Sequence, residues 1–191
     1  MPDALPDLFH ADGVLFDLDG VLTPTAEVHM RAWKAVFDDV FARWDITPPY
    51  TDEDYFAYVA VVEALHAAGI PLGVVSSSKN AEEVLAAAGI RSFFRVVIDG
   101  VVAEREHLAS KPAADMFAAG ASALGVNPAR SIAVEDATSG AASAAAAGYA
   151  VVIGVDRGAG ADALRAAGAT HVVDDLGILL PAARTDTPET A

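Results

Sequence analysis

Two carboxylates, Asp17 and Asp19, stand two residues apart in the run Phe-Asp-Leu-Asp-Gly-Val-Leu-Thr at residues 16–23. Further along come Ser76, Ser77, Ser78, Lys79 and Asn80, then Lys111 before a proline, then the adjacent acids Glu135 and Asp136. Asp17, Glu135 and Asp136 form a hard oxygen donor set suited to Mg²⁺. Three carboxylates in one place repel each other and any phosphate, so such a cluster calls for a cation. A carboxylate so supported can attack phosphorus and hold the phosphoryl group covalently. Asp19 can serve as general acid and base at the same centre. Ser76 and Lys111 can neutralise and orient phosphoryl oxygens, and the helix start near Asn80 adds favourable N–H groups. Taken singly, each motif has an ordinary explanation: a loop, a helix start, a turn, an N-cap. Their joint occurrence in this order is what points to phosphoryl transfer.

These groups work together only if the fold gathers them. Near-continuous apolar runs at residues 13–17, 71–76, 95–98, 131–135, 150–154 and 170–173 read as six strands. Helical segments alternate with them, as expected for a parallel sheet covered on both faces. Each polar motif follows a strand, and the carboxyl ends of strands in an open parallel sheet share one ligand-binding edge. Asn80 is expected to cap one helix that closes at Gly89. Pro112 is expected in the first turn of another that ends at Gly125. An Ala-rich helix should run from near Thr138 to Gly148. Residues 24–59 contain no strand: 27–44 reads as a helix, 45–54 as a loop with two prolines, and a further helix spans 54–68. The expected division is a core of residues 1–23 and 60–183, an insertion at 24–59, and a disordered tail at 184–191.

Composition narrows the function classes. The chain of 191 residues has no cysteine, so neither a disulfide framework nor a thiolate zinc site is available. A net charge of −15 disfavours nucleic acid and anionic lipid as partners. It also means that a phosphate site needs local positive charge, and lysine occurs only as Lys34, Lys79 and Lys111. The N-terminus lacks the basic and apolar regions of a signal peptide. The uncharged run at 137–155 is broken by Gly148 and is read as helix then strand, not a membrane span. A cytoplasmic monomer or weak homodimer acting on a small phosphorylated metabolite is expected.

The motifs Asp-Leu-Asp-Gly-Val-Leu-Thr, Val-Val-Ser-Ser-Ser-Lys-Asn, Lys-Pro-Ala-Ala-Asp and Val-Glu-Asp-Ala-Thr-Ser-Gly resemble those of the haloacid dehalogenase superfamily in order and spacing, over nearly the whole chain. Residues 27–34 and 76–80 are similar to the β-phosphoglucomutase-like group in particular. The resemblance implies a Rossmann-like α/β core with a doubly wound parallel sheet and a truncated helical cap. It implies Asp17 as nucleophile and metal ligand, and Asp19 as acid/base with its backbone carbonyl on Mg²⁺. Glu135 and Asp136 are the other implied metal ligands, and Leu18, Ser76, Ser77 and Lys111 the phosphate-binding set. Ser78, Lys79 and Asn80 match positions that touch a second, non-transferring phosphate in the mutases, and His29 and Trp33 match the first cap helix. Relatives carry several cap helices between the first two motifs, whereas only residues 24–75 separate them here. The cap arginine of those relatives has no counterpart, and Pro24 replaces an acidic residue.

The implied activity is Mg²⁺-dependent hydrolysis of a small phosphomonoester such as a sugar phosphate. A β-phosphoglucomutase and an inactive or binding-only core are the alternatives. A receiver-type signalling domain uses similar groups, but its acceptor follows a middle strand. Gly158 and Gly160 after a strand faintly resemble a dinucleotide fingerprint, but too little chain follows to build the binding half. No phosphate-binding P-loop and no nucleophile elbow occurs. His10, His29, His66, His107 and His171 show no paired metal spacing and read as surface or packing residues.

Overall fold

In a computed structural model the described residues are 5–22 and 52–180, with side chains in the first helix from Tyr58 onward. Six short strands, β1 (Val14–Phe16), β2 (Leu72–Val75), β3 (Val96–Ile98), β4 (Ile132–Glu135), β5 (Val151–Val155) and β6 (His171–Val173), form one sheet in the order β3-β2-β1-β4-β5-β6. Every pairing is parallel. The order reverses direction at β1, so the chain winds outward to both sides from its first strand, and a crevice opens beyond the β1 and β4 carboxyl ends. Val14 pairs with Leu72 on one side and Ile132 on the other, which sets the ends of β1, β2 and β4 level.

Among the described residues six helices flank the sheet: α1 (Asp52–Ala67), α2 (Ala81–Ala87), α3 (Gly100–Glu106), α4 (Asp115–Leu124), α5 (Thr138–Ala146) and α6 (Ala161–Ala166). Strand side chains alternate between two cores. Val14, Phe16, Val74, Ile132 and Val134 face one side, where Tyr58, Val61, Val62 and Leu65 of α1 and Leu85 of α2 pack. That i, i+3, i+4, i+7 stripe is what anchors α1. Leu15, Val75, Ala133 and Val152 face the other side, against Met116 and Phe117 of α4, Ala141 and Ala144 of α5, and Leu164 of α6. Small residues on α5 let it lie close to the sheet, and Tyr149 closes the layer edge-on to Phe117 at 5.6 Å.

The strands agree with the sequence expectation to within a residue at each end. Four local features differ. The helix expected over 54–68 begins at Asp52, inside the segment read as a loop. It runs unbroken through position 59/60, as the expected helix does. Asn80 holds the N-cap position of α2, but its backbone (φ −108°, ψ 14°) is not extended and its side chain makes no cap bond. The Ser78 hydroxyl accepts from the Asn80 backbone N–H at 3.2 Å. Pro112 precedes α4 by a turn rather than opening it, and the Lys111–Pro112 peptide is cis. The connection before Lys111 contains α3, capped by Asp99, whose Oδ1 accepts from the N–H groups of Val101 and Val102. The expectations for 27–44, for the tail at 184–191, and for His29 and Trp33 lie outside the described residues. No helix among the described residues is long and apolar enough to cross a membrane.

Leu65 is fully buried between α1 and the sheet. Leu65→Ala should lower unfolding free energy by about 2–5 kcal/mol, read as a fall in the urea midpoint. A change under 0.5 kcal/mol would contradict the packing of α1 as core.

Candidate active site

The edge formed by the carboxyl ends of β1, β2 and β4 gathers residues far apart in sequence. Asp17 follows β1 and its N–H donates to Val134 O of β4 at 2.8 Å, so the strand pairing itself fixes its backbone. Its carboxylate is buried, as is that of Glu135 at the end of β4. Lys111 reaches in from the segment before α4. Its ammonium donates to Asp17 Oδ1, to Glu135 Oε1 at 2.5 Å and to the Val75 carbonyl at 2.9 Å, and it lies 5.3 Å from the Phe117 ring centroid. Three elements thus place one cation against two acids from opposite sides of the crevice.

Asp17, Glu135 and Asp136 can each offer one carboxylate oxygen such that all three atoms lie within 4.8 Å of one another. Two glycines leave room for this cluster. A Cβ on Gly140 of α5 would stand 1.9 Å from the Glu135 carboxyl, and one on Gly20 would stand 2.0 Å from Asp136 Oδ2. Gly20 also has φ +83°, a left-handed backbone suited to glycine. Sequence reading did not assign either residue to the site. A glycine in a turn or a small-residue helix looks the same whether or not a carboxylate presses on it.

Electrostatics match this crowding. Burial pushes the Asp17 carboxyl above its ordinary range, against the pull of Lys111. Burial and the neighbouring Asp17 push Glu135 up to about 8 and Asp136 up to about 6. Burial alone would lower the Lys111 ammonium, but the attraction of Asp17 and Glu135 outweighs it and the net shift is upward. One ammonium therefore does not satisfy three acids. The hard oxygen donors, their convergence and the space left by Gly20 and Gly140 fit a small divalent cation such as Mg²⁺.

On the β2 side, the buried Ser76 hydroxyl donates to Asp19 Oδ2 at 3.3 Å and accepts from the Ser78 N–H at 3.1 Å. Asp19 is thereby tied to the loop after β2, close enough to the three-acid cluster for its charge to add to the upward push on Asp17 and Asp136. Leu18 is buried between the two acids of the first motif, and Ser77 is exposed beside Ser76. Ser78, Lys79 and Asn80 line the rest of the loop, and Lys79 Nζ pairs with Glu104 of α3 at 2.5 Å. The structure thus brings together Asp17, Asp19, Ser76, Lys111, Glu135 and Asp136.

Comparison with known proteins identifies the family. The haloacid dehalogenase-like hydrolase family matches residues 49–148. A β-phosphoglucomutase of Mycobacterium tuberculosis is 34% identical over 236 aligned positions, covering 87% of this chain and 90% of the relative. The chain belongs to the haloacid dehalogenase-like hydrolase family. A fructose-1-phosphate phosphatase of Escherichia coli is 29% identical, covering 71% of this chain and 92% of that protein. The crystal structure of a β-phosphoglucomutase from Clostridium difficile shares the fold, with a TM-score of 0.62 at 23% identity over 89% of this chain and 93% of that one. With mutases and sugar-phosphate phosphatases as homologues, this family member is a phosphatase or phosphotransferase. Because 87% of 191 residues fill 236 aligned positions, about three in ten of those positions have no residue in this chain.

Protons and a divalent cation compete for the same oxygens, so the cation's affinity should fall as pH drops from 8 through 6, the range set by Glu135 and Asp136. Calorimetric titration with Mg²⁺ at pH 7 in buffers of different ionisation enthalpy should show release of about one proton per ion bound. Binding with no proton release and no pH dependence would contradict the assignment of this cluster.

Proposed function

We propose that the chain hydrolyses a small phosphomonoester, such as a sugar phosphate, through a phospho-aspartate on Asp17 with Mg²⁺ as cofactor. The observation that carries this reading is the convergence of Asp17, Lys111 and Glu135 at the β1/β4 edge, with Asp19 held beside them by Ser76. One carboxylate oxygen of Asp17 attacks phosphorus as the bond to the leaving alcohol oxygen breaks, and Asp19 gives that oxygen its proton. Asp19, now a carboxylate, takes a proton from water as the water oxygen attacks phosphorus. The Asp17–phosphoryl bond then breaks, releasing inorganic phosphate and restoring both side chains.

Lys111 holds phosphoryl oxygens with the Ser76 hydroxyl, and the Leu18 and Ser77 backbones flank the same oxygens. Asp17, the Asp19 carbonyl, Glu135 and Asp136 would hold Mg²⁺, which supplies charge neutralisation at the phosphoryl group. Ser78, Lys79 and Asn80 are assigned to the remainder of the substrate, and His29 and Trp33 of the insertion are assigned to it by motif alone. Residues 24–59 are assigned as a remnant cap on a core of residues 1–23 and 60–183. A cytoplasmic monomer or weak homodimer with no nucleic-acid or membrane partner completes the reading, in keeping with the net charge of −15.

Asp17→Asn should abolish phosphate release from p-nitrophenyl phosphate, with far-ultraviolet circular dichroism unchanged. Exhaustive EDTA treatment should silence the wild-type chain until Mg²⁺ is restored. Near-normal turnover by the variant would sink the nucleophile assignment.

A second reading, β-phosphoglucomutase, is favoured by the 34% identity to the mycobacterial enzyme. A mutase must keep water from its phospho-aspartate, which calls for a closing cap. The positions missing from this chain relative to that enzyme weigh toward hydrolysis. Phosphorus NMR after incubation with β-glucose 1-phosphate and a trace of the 1,6-bisphosphate separates the two. Mainly inorganic phosphate is expected; mainly glucose 6-phosphate would establish the mutase.

A further inference from the structure

A cavity of about 550 Å³ opens between the loop after β2 and α3, lined among others by Ser77, Lys79, Glu104, His107, Ser110 and Met116. Two of these are chain neighbours of proposed phosphate ligands: Ser77 follows Ser76, and Ser110 precedes Lys111. Part of the cavity wall is thus directly continuous in the chain with the proposed phosphate ligands, and its volume is large enough for a hexose. Its wall mixes hydroxyls and an imidazole with an apolar Met116, a lining suited to a ring with an apolar face and hydroxyl edges.

Its charge is balanced. Lys79 Nζ lies 2.5 Å from Glu104 Oε2, and the ammonium beside Glu104 holds that carboxyl below its ordinary range. Motif matching assigns Lys79 to a second substrate phosphate, but in this structure α3 supplies the anion instead. Both side chains are largely exposed, at 62% and 72%. The pair contributes little to folding stability, which leaves its effect on what enters the cavity. An incoming anion would have to displace or lie against the Glu104 carboxylate, whereas a hydroxyl can accept from Lys79 and donate to Glu104 without separating them.

We propose that this cavity seats the alcohol part of the substrate, and that Glu104, by holding Lys79, makes it select a neutral hydroxyl-bearing group over one carrying a second anion. The proposal rests on the phosphomonoesterase reading above and adds Glu104 as a specificity determinant. Like charge placed against an incoming group discriminates more than it binds.

The test compares glucose 6-phosphate with 6-phosphogluconate, which carry one phosphate each; the second is the open-chain acid, with a carboxylate at the end far from the phosphate, so the change of their ratio between wild type and variant is the decisive readout. Competition against p-nitrophenyl phosphate yields an inhibition constant for each, whether or not either is turned over. The wild-type chain should bind glucose 6-phosphate more tightly. Glu104→Gln should improve binding of 6-phosphogluconate relative to glucose 6-phosphate by roughly tenfold, and adding Lys79→Met should remove that gain. An unchanged ratio in Glu104→Gln, or a wild-type preference for 6-phosphogluconate, overturns the inference alone. A wild-type chain that releases no phosphate from p-nitrophenyl phosphate overturns the functional reading and this inference with it.

Discussion

The buried ammonium of Lys111 is the constraint around which this sheet edge is organised. It donates to Asp17 just after β1, to Glu135 on β4 and to the Val75 carbonyl of β2, so it joins the ends of three strands. A buried charge is tolerable only when paired and hydrogen-bonded, and each of its contacts comes from an element whose position the parallel pairing already fixes. The pairing of Val14 with Leu72 and Ile132 levels β1, β2 and β4. A one-residue slip would reverse the facing of every side chain in the slipped strand and carry these acids off the edge.

The same crowding explains why the site is poised for chemistry rather than for stability. Asp17, Glu135 and Asp136 all have carboxyls pushed upward by burial, and Glu135 and Asp136 are raised further by Asp17. Structural ion pairs ordinarily pull carboxyl groups downward. An excess of buried acid over buried base costs folding energy, and such unfavourable clusters are retained where a cation or a reaction uses them. The void that Gly20 and Gly140 leave against Asp136 and Glu135 belongs to the same design, because a methyl group at either position would force a carboxylate out of the cluster.

Much of this was legible in the chain. Apolar runs marked the six strands, and the polar residues that follow them marked the edge, because strand ends and ligand edge coincide in a doubly wound sheet. The remainder was not legible for local physical reasons. Helix α3 is too short for a periodic pattern, and its Val101 and Val102 continue the β-branched character of β3, so only the Asp99 cap announces it. The Asn80 side chain makes no cap bond because its backbone (φ −108°, ψ 14°) departs from the extended conformation an N-cap uses, which residue type alone does not fix. The closeness of Gly140 to Glu135 and the pairing of Lys79 with Glu104 depend on how elements pack, not on their spacing in the chain.

Only three lysines occur in a chain of net charge −15, and two of them flank this one edge with opposite consequences. Lys111, with its side chain 8% exposed, is committed to the acids that surround the reacting centre. Lys79 is exposed and its charge is offset by Glu104. Under the proposed function, the buried ammonium stands where a phosphoryl group would bind, beside acids in excess of it, whereas the charge at the neighbouring cavity is balanced. In so acidic a protein the long-range field repels anions, so recognition of a phosphate must come from short-range contacts in a low-dielectric recess. Burial of Lys111 provides that recess, whereas an equally placed surface lysine would be screened by salt. If the proposed function holds, affinity for the phosphoryl group and selection among substrate groups fall to two lysines that differ in depth, one buried and one exposed.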